Sequence, residues 1–307
     1  MFSIIESYAE KSETIRQARE NVRRLSILKE IGRFIILFFI LMLAISIVQY
    51  MFYDMDAQVQ TPLNFLLIHL SFIFSPILIY FYITKLEKRS LRSIGFTKGN
   101  AISSTLKGLL IGILIILAIM IIGVLFGQFK YDGVDFSSYL LLILYFIGFG
   151  VQSFGEEIYC RGWALTYFAK RHGILFAIFA SNIVFILPHL GNDGFNIMLI
   201  VNIFIIGTLF AIIFLKYDNI WICGGIHTAW NFFLGPIFGL NVSGSATHSL
   251  LKFTTVSPNI LNGGTFGPES GLIVSFVVIV AILISVYVLK KWILRLFKME
   301  IKKIKEF

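Results

Sequence analysis

Glu156 and Glu157, with Arg161 one helical turn on, interrupt a stretch that is otherwise apolar. Two further segments interrupt apolar runs in the same way: Phe185-Ile186-Leu187-Pro188-His189 and His227-Thr228-Ala229-Trp230-Asn231. An ionisable side chain at the centre of a membrane helix costs on the order of 2.5–3.5 kcal/mol on insertion scales. Two carboxylates, a guanidinium and two imidazoles in such places therefore need compensation, from one another or from a function. Together with the Asn231 amide they supply a base for water, imidazoles to move or hold a proton, and a donor for an oxyanion. That is the inventory of a water-activating hydrolase placed inside a membrane.

Each cluster also has a plain structural reading. On a helix Glu157 and Arg161 are i,i+4 neighbours and can pair, while Glu156 points about 100° away. Arg161 can hold one carboxylate ionised and leave the other to exchange a proton with water; the alternative is an ion pair at a helix end. Pro188 interrupts its helix, so His189 falls where the backbone is irregular, which at membrane depth implies a cavity or close packing. The alternative is a capping histidine beside Gly191-Asn192-Asp193-Gly194. His227 and Asn231 share one face of a helix, and Gly224 and Gly225 allow a neighbouring helix or a ligand to come close; the alternative is a hydrogen bond that only joins helices. His69, alone in a span, is expected to bond a neighbouring helix. His172, in a basic turn, and His248, in a loop, are given no chemistry.

The elements that must position these groups are helices. Of the 307 residues, 57% are hydrophobic and 14% charged, against about 45–50% and 25% in a soluble domain, and the mean hydropathy is +0.86. A span needs about 20 apolar residues. Eight candidates stand at about 33–53, 63–84, 105–127, 138–158, 173–188, 195–216, 219–239 and 271–294. The fourth runs on into a more polar helical stretch ending near Lys170-Arg171. The expected architecture is an all-α polytopic membrane protein of about eight transmembrane helices with an intramembrane polar cavity.

Residues 1–31 read as a cytoplasmic amphipathic arm, a helix of mixed charge and solvated, with Glu6, Glu10, Glu13 and Glu20 among Arg16, Arg19, Arg23 and Arg24. The transmembrane domain is assigned to 32–300, with its core motifs in 150–235. No apolar core and cleavage site stand at the N-terminus, so the spans themselves are expected to direct insertion. No Cys-a-a-X ending is present, so prenylation of this chain is not expected. The 240–270 segment, rich in Gly, Ser, Thr, Asn and Pro, reads as an irregular external loop. No internal repeat is visible, which weighs against an inverted-repeat transporter.

The net charge is +9. The basic residues lie beside apolar spans, which points to anionic lipid and not to nucleic acid. The segment between the first two spans carries Asp54 and Asp56 and no basic residue. Lys85, Lys88, Arg89, Arg92 and Lys98, then Lys170 and Arg171, then Lys290, Lys291, Arg295 and Lys298 all fall on the side of the arm. Both termini are therefore predicted cytoplasmic in a multi-pass protein of the cell membrane. Cys160 and Cys223 form no disulfide framework or metal knuckle and read as small buried hydrophobes. The Ile-, Phe- and Lys-rich usage is that of an AT-rich bacterial genome.

Glu-Glu-x-x-x-Arg (Glu156, Glu157, Arg161), Phe-x-x-x-His (Phe185, His189) and His-x-x-x-Asn (His227, Asn231), in this order, resemble the signature of the CPBP intramembrane proteases. That family includes the type II CAAX prenyl endopeptidases and the bacterial Abi proteins. Leu91-Arg92-Ser93-Ile94-Gly95-Phe96 with Gly108, and Gly263-Gly264-Thr265-Phe266-Gly267-Pro268-Glu269, are similar to further family segments, so the resemblance runs from about 85 to 290. It implies an endopeptidase acting on a peptide or membrane-protein substrate. Glu156 would activate the water with help from His189, and His227 and Asn231 would stabilise the oxyanion. Glu157 and Arg161 would hold the helix, with Phe185 in support. Both a metal-free glutamate mechanism and a Zn²⁺ on Glu156, His189 and His227 are compatible with these residues. The alternatives outside catalysis are a bacteriocin-immunity or binding protein of the same fold, and a proton- or solute-coupled transporter using Glu, Arg and His as a relay.

One geometric difficulty accompanies these expectations. Measured from Arg171 along a regular helix, His189 lies about 27 Å away, near the outer face, whereas a fourth span ending at 158 leaves Glu156 near the cytoplasmic side.

Overall fold

The computed structural model describes residues 2–20 and 27–305. Arg23 and Arg24 of the arm lie outside the described residues, and so do the side chains of Lys290, Lys291, Arg295 and Lys298. The chain forms α1 (Phe2–Lys11), α2 (Glu13–Glu20), α3 (Ile27–Phe52), α4 (Pro62–Leu86), α5 (Ala101–Leu125), α6 (Leu141–Ala169), α7 (Ile174–Gly191), α8 (Ile197–Tyr217), α9 (Ile220–Phe232) and α10 (Leu272–Lys305). It is an all-α polytopic membrane protein.

Among the described residues six helices, from α3 to α8, are long and apolar enough to cross a membrane, and α10 adds a shorter apolar stretch, Leu272–Val288. The segment expected at 219–239 is α9 and the wider turn Phe233–Ile237 that follows it. This helix is short and buried from Ile222 to Asn231, so it forms the centre of the bundle. The outer helices face hydrocarbon. On α5, Ile102, Leu106, Leu110, Leu114, Ile121 and Leu125 are exposed along one ridge, the spacing of a lipid-facing stripe.

Glycine brings α9 against α5. A Cβ on Gly108 would lie 2.2 Å from the carbonyl oxygen of Ile222, and one on Gly112 would lie 2.6 Å from that of Ile226. From the other side, a Cβ on Gly225 would lie 2.4 Å from the carbonyl oxygen of Thr105. The two backbones touch with no side chain between them, as small residues four apart permit in membrane helices. Gly224, on the next face, receives the Phe154 ring of α6.

Two short strands depart from the all-helical expectation. β1 (Phe129–Val134) and β2 (Leu251–Thr255) pair antiparallel, so part of the segment read as an irregular loop is extended. A single bridge, Val59 with Ala246, brings the α3–α4 connection to the same end of the bundle.

The arm is docked, against the expectation of one solvated helix. It breaks at Ser12 into α1 and α2, and Thr14, Ile15 and Ala18 are buried. Asp218, in the left-handed conformation that ends α8, is its anchor. It accepts from the Ser12 hydroxyl at 2.5 Å and the Thr14 backbone N–H at 3.2 Å, and it pairs with Arg92. Arg19 Nε donates to the carbonyl of Ala169 at 3.1 Å. The arm thus covers the end of the bundle where α6 turns into α7.

That turn removes the geometric difficulty. The helix containing Glu156 runs on past 158 to Ala169, close to the expected end near Lys170-Arg171. Glu156 is then about 20 Å above the turn on one limb of a hairpin, and His189 about 22 Å above it on the other. Pro188 acts in the last turn only, where α7 tightens into a 3₁₀ segment, Leu187–Gly191.

Candidate active site

The three motif segments meet. Gln152, Glu156, Phe185, His189, Ile203, Ile206, His227, Trp230, Asn231, Ser243 and Glu269 line one cleft. The room for water centres is about 20 Å³, enough for a water or two.

Glu156 is buried. Its Oε1 accepts from Gln152 Nε2 at 3.1 Å, one turn earlier in α6, and its Oε2 lies 3.7 Å from His227 Nε2. That second separation is too long for a hydrogen bond, so this oxygen faces the cleft without a direct protein partner. Glu157 faces the other way. Its Oε1 accepts from Arg161 Nη1 at 2.9 Å and from His227 Nδ1 at 3.0 Å. Glu157 and Arg161 are fully buried, and the guanidinium lies over the Phe185 ring at 4.3 Å and near Phe210 at 5.3 Å. Phe185 is thus the aromatic face on which Arg161 rests.

His189 and His227 are each held by one nitrogen. His189 Nδ1 is 2.9 Å from the carbonyl oxygen of Phe185. A carbonyl only accepts, so Nδ1 carries the hydrogen and the neutral ring keeps a lone pair on Nε2. His227 Nδ1 donates to a carboxylate, which leaves its Nε2 on the Glu156 side. Asn231 is buried, with Nδ2 3.5 Å from Ser153 Oγ. This contact is weak and leaves the amide free to serve another acceptor.

Glu269, the last residue of the Gly263-Gly264-Thr265-Phe266-Gly267-Pro268-Glu269 segment, also lines the cleft. Its Oε1 accepts from Trp230 Nε1 at 2.9 Å and its Oε2 from the Ser243 backbone N–H at 2.5 Å. It ties α9 to the two loops that precede α10. It lies outside the spanning helices, and burial raises its carboxyl above the ordinary carboxylate value against the two hydrogen bonds. Gln152 also went unassigned, although its i,i+4 spacing to Glu156 was visible. Ser243, Ile203 and Ile206 carried no signal, since nothing local separates them from their neighbours.

The other histidines stay out of the cleft. His69 bonds the Phe65 carbonyl of its own helix at 2.7 Å and stacks on the Phe65 ring, in place of the bond to a neighbouring helix expected for it. Cys160 and Cys223 are free and buried. A catalytic Zn²⁺ needs three convergent protein donors and an open position. Glu156 and His227 converge, but among the described residues no three His, Cys, Asp or Glu side chains are grouped to hold a metal. The residues as arranged do not fit a metal.

Fold and site together define a multi-pass membrane protein with a buried carboxylate–imidazole centre. Residues 137–233, about a third of the chain and all three motifs, match the family described as type II CAAX prenyl endopeptidase Rce1-like. Over that region the match supports a membrane protease of the CPBP type. No curated protein and no solved structure matches it.

Proposed function

We propose that this chain is an intramembrane endopeptidase that cleaves a membrane-associated or exported peptide by a glutamate-activated water. Glu156 Oε2 takes the proton of the water, and His189 assists through Nε2. As the water oxygen attacks the carbonyl carbon, the oxyanion is met by the Asn231 amide and by His227 as an imidazolium, which donates from Nε2 while Nδ1 stays on Glu157. Glu156 then passes that proton to the peptide nitrogen as the oxyanion collapses and the C–N bond breaks, releasing the amine and leaving the new carboxyl group on the other fragment. Glu157 holds His227 by its Nδ1 and is itself held by Arg161 Nη1 on the same oxygen. In a bacterial host the substrate would be a secreted peptide or a membrane protein in preference to a prenylated one.

The observation that supports this reading best is the meeting of the three motifs, from α6, α7 and α9, around a space the size of a water. The test is comparative peptidomics of cells carrying wild type, Glu156→Gln or His189→Ala at equal membrane abundance. A peptide produced by wild type alone is the expected result. Identical peptides from all three, with the phenotype kept, would sink the catalytic reading and favour a binding or immunity role.

A further inference from the structure

The lining residues of the cleft that are not buried lie toward one end of the bundle. On the arm side of Glu156, α6 is sealed. Ile158 to Tyr167 are buried without a break, Arg161 is closed in by Phe185 and Phe210, and Trp163 stacks on Phe34 at 4.5 Å. The connection between α4 and α5 folds in below, with Arg89 and Ser93 buried and the Ile94 carbonyl 3.1 Å from a Cβ built on Gly162. The arm then covers the end of α6. On the other side the walls are completed by Ser243 and Glu269, from loops at the strand end of the bundle. Of the lining residues, Gln152, His189 and Ser243 are the ones that are not buried. Gln152 and His189 lie farther along their helices toward the strand end than Glu156 and Phe185, and Ser243 belongs to its loops.

Charge marks the two ends differently. The arm end carries Lys85, Lys88, Arg89, Arg92, Lys98, Lys170, Arg171 and Lys216 against Glu87 and Asp218. The strand end carries Asp54, Asp56, Asp132, Asp135 and Asp193 against Lys130 and Lys252. Basic connections stay in the cytoplasm, which turns the strand end, and the mouth of the cleft, outward.

We infer that the substrate reaches Glu156 from the outer face, as an extended segment of an exported or membrane-anchored polypeptide on the far side of the bilayer from the arm. This rests on the endopeptidase reading for the chemistry. The side of access stands on burial and charge alone.

Two measurements on the full chain separate the claims. Ser243→Cys, Asp193→Cys and Lys98→Cys are treated in spheroplasts with a membrane-impermeant maleimide; the native Cys160 and Cys223 are buried. Labelling of the first two from outside, and of Lys98→Cys only after permeabilisation, is expected. The reverse pattern overturns the inference. So does a Ser243→Cys that stays unlabelled until detergent is added while Asp193→Cys reacts, because the cleft is then closed to outer water. Right-side-out and inverted vesicles are next given a mixed pool of internally quenched, N-acetylated and C-amidated peptides. Cleavage that depends on Glu156 is expected at least tenfold faster in right-side-out vesicles. Faster cleavage in inverted vesicles overturns the inference. No Glu156-dependent cleavage in either, with or without detergent, removes the endopeptidase reading instead, while the labelling still reports the side.

Discussion

His227 Nδ1 lies 3.0 Å from Glu157 Oε1, and the same oxygen takes Arg161 Nη1 at 2.9 Å. The carboxylate that pairs with the arginine therefore also sets the orientation of an imidazole. Glu157→Gln keeps the shape and removes the charge. It leaves Arg161 buried without a counter-charge, a loss of about 3–5 kcal/mol, and frees the imidazole to turn. A lower melting midpoint in detergent is expected, with turnover per folded molecule falling about 100-fold or more. Unchanged single-turnover rates on the folded fraction would show that His227 does not depend on Glu157.

Glu156 behaves in the opposite way. It is buried, and the protein gives it one hydrogen bond, from Gln152. Glu156→Gln relieves a poorly compensated carboxylate, so the melting midpoint should hold or rise while cleavage falls about 10²–10⁴-fold. Calorimetry beside a peptide assay reads both. Loss of fold and activity together would recast Glu156 as a structural residue.

The contact of α5 with α9 is a backbone contact, and α9 carries His227 and Asn231. A Cβ on Gly112 would come within 2.6 Å of the Ile226 oxygen and 2.7 Å of Ala229 Cβ. Gly112→Ala is expected to cost about 1–3 kcal/mol and to lower activity, although no catalytic atom is touched. A substitution that leaves both the midpoint and the rate alone would mean that the two helices separate freely.

The arm hangs on Asp218, a partly exposed residue, so its ion pair with Arg92 adds only about 1 kcal/mol or less. In Asp218→Ala the hydrogen bonds from Ser12 and Thr14 go as well. Faster trypsin cleavage and faster amide exchange within 2–20 are expected, with catalysis intact, since the cleft lies about 20 Å away along α6. A matching drop in activity would tie the arm to the site.

Glu269→Ala leaves Trp230 Nε1 and the Ser243 N–H without their acceptor, which costs about 1–3 kcal/mol for a buried donor. Because Trp230 neighbours Asn231, KM and kcat should both worsen, whereas Glu269→Gln, which keeps one acceptor oxygen for one of the two donors, should recover only part of the stability. Equal damage from both substitutions would point to the charge itself.

Much of the site was legible from residue types. Ionisable side chains in apolar spans are costly enough to be rare, so Glu156, Glu157, Arg161, His189 and His227 stood out against their surroundings, and the 3.6-residue period placed Asn231 beside His227 and Arg161 beside Glu157. The same cost made a polytopic helical membrane protein the reading of the composition. Glu269 and Ser243 were not legible as site residues, because a loop has no period from which to read a direction. Nor did the arm's exposure follow from its mixed charges: Thr14 and Ile15 are buried by a surface that α6, α8 and the Arg92 loop build together. The depth of Glu156 was decided by the turn at Lys170–Gly173, which measures both limbs of the hairpin from one point. Local patterns determined which groups must be compensated. Only the packing of α6, α7 and α9 decided which of them compensate one another, because burial belongs to the whole bundle and not to any one helix.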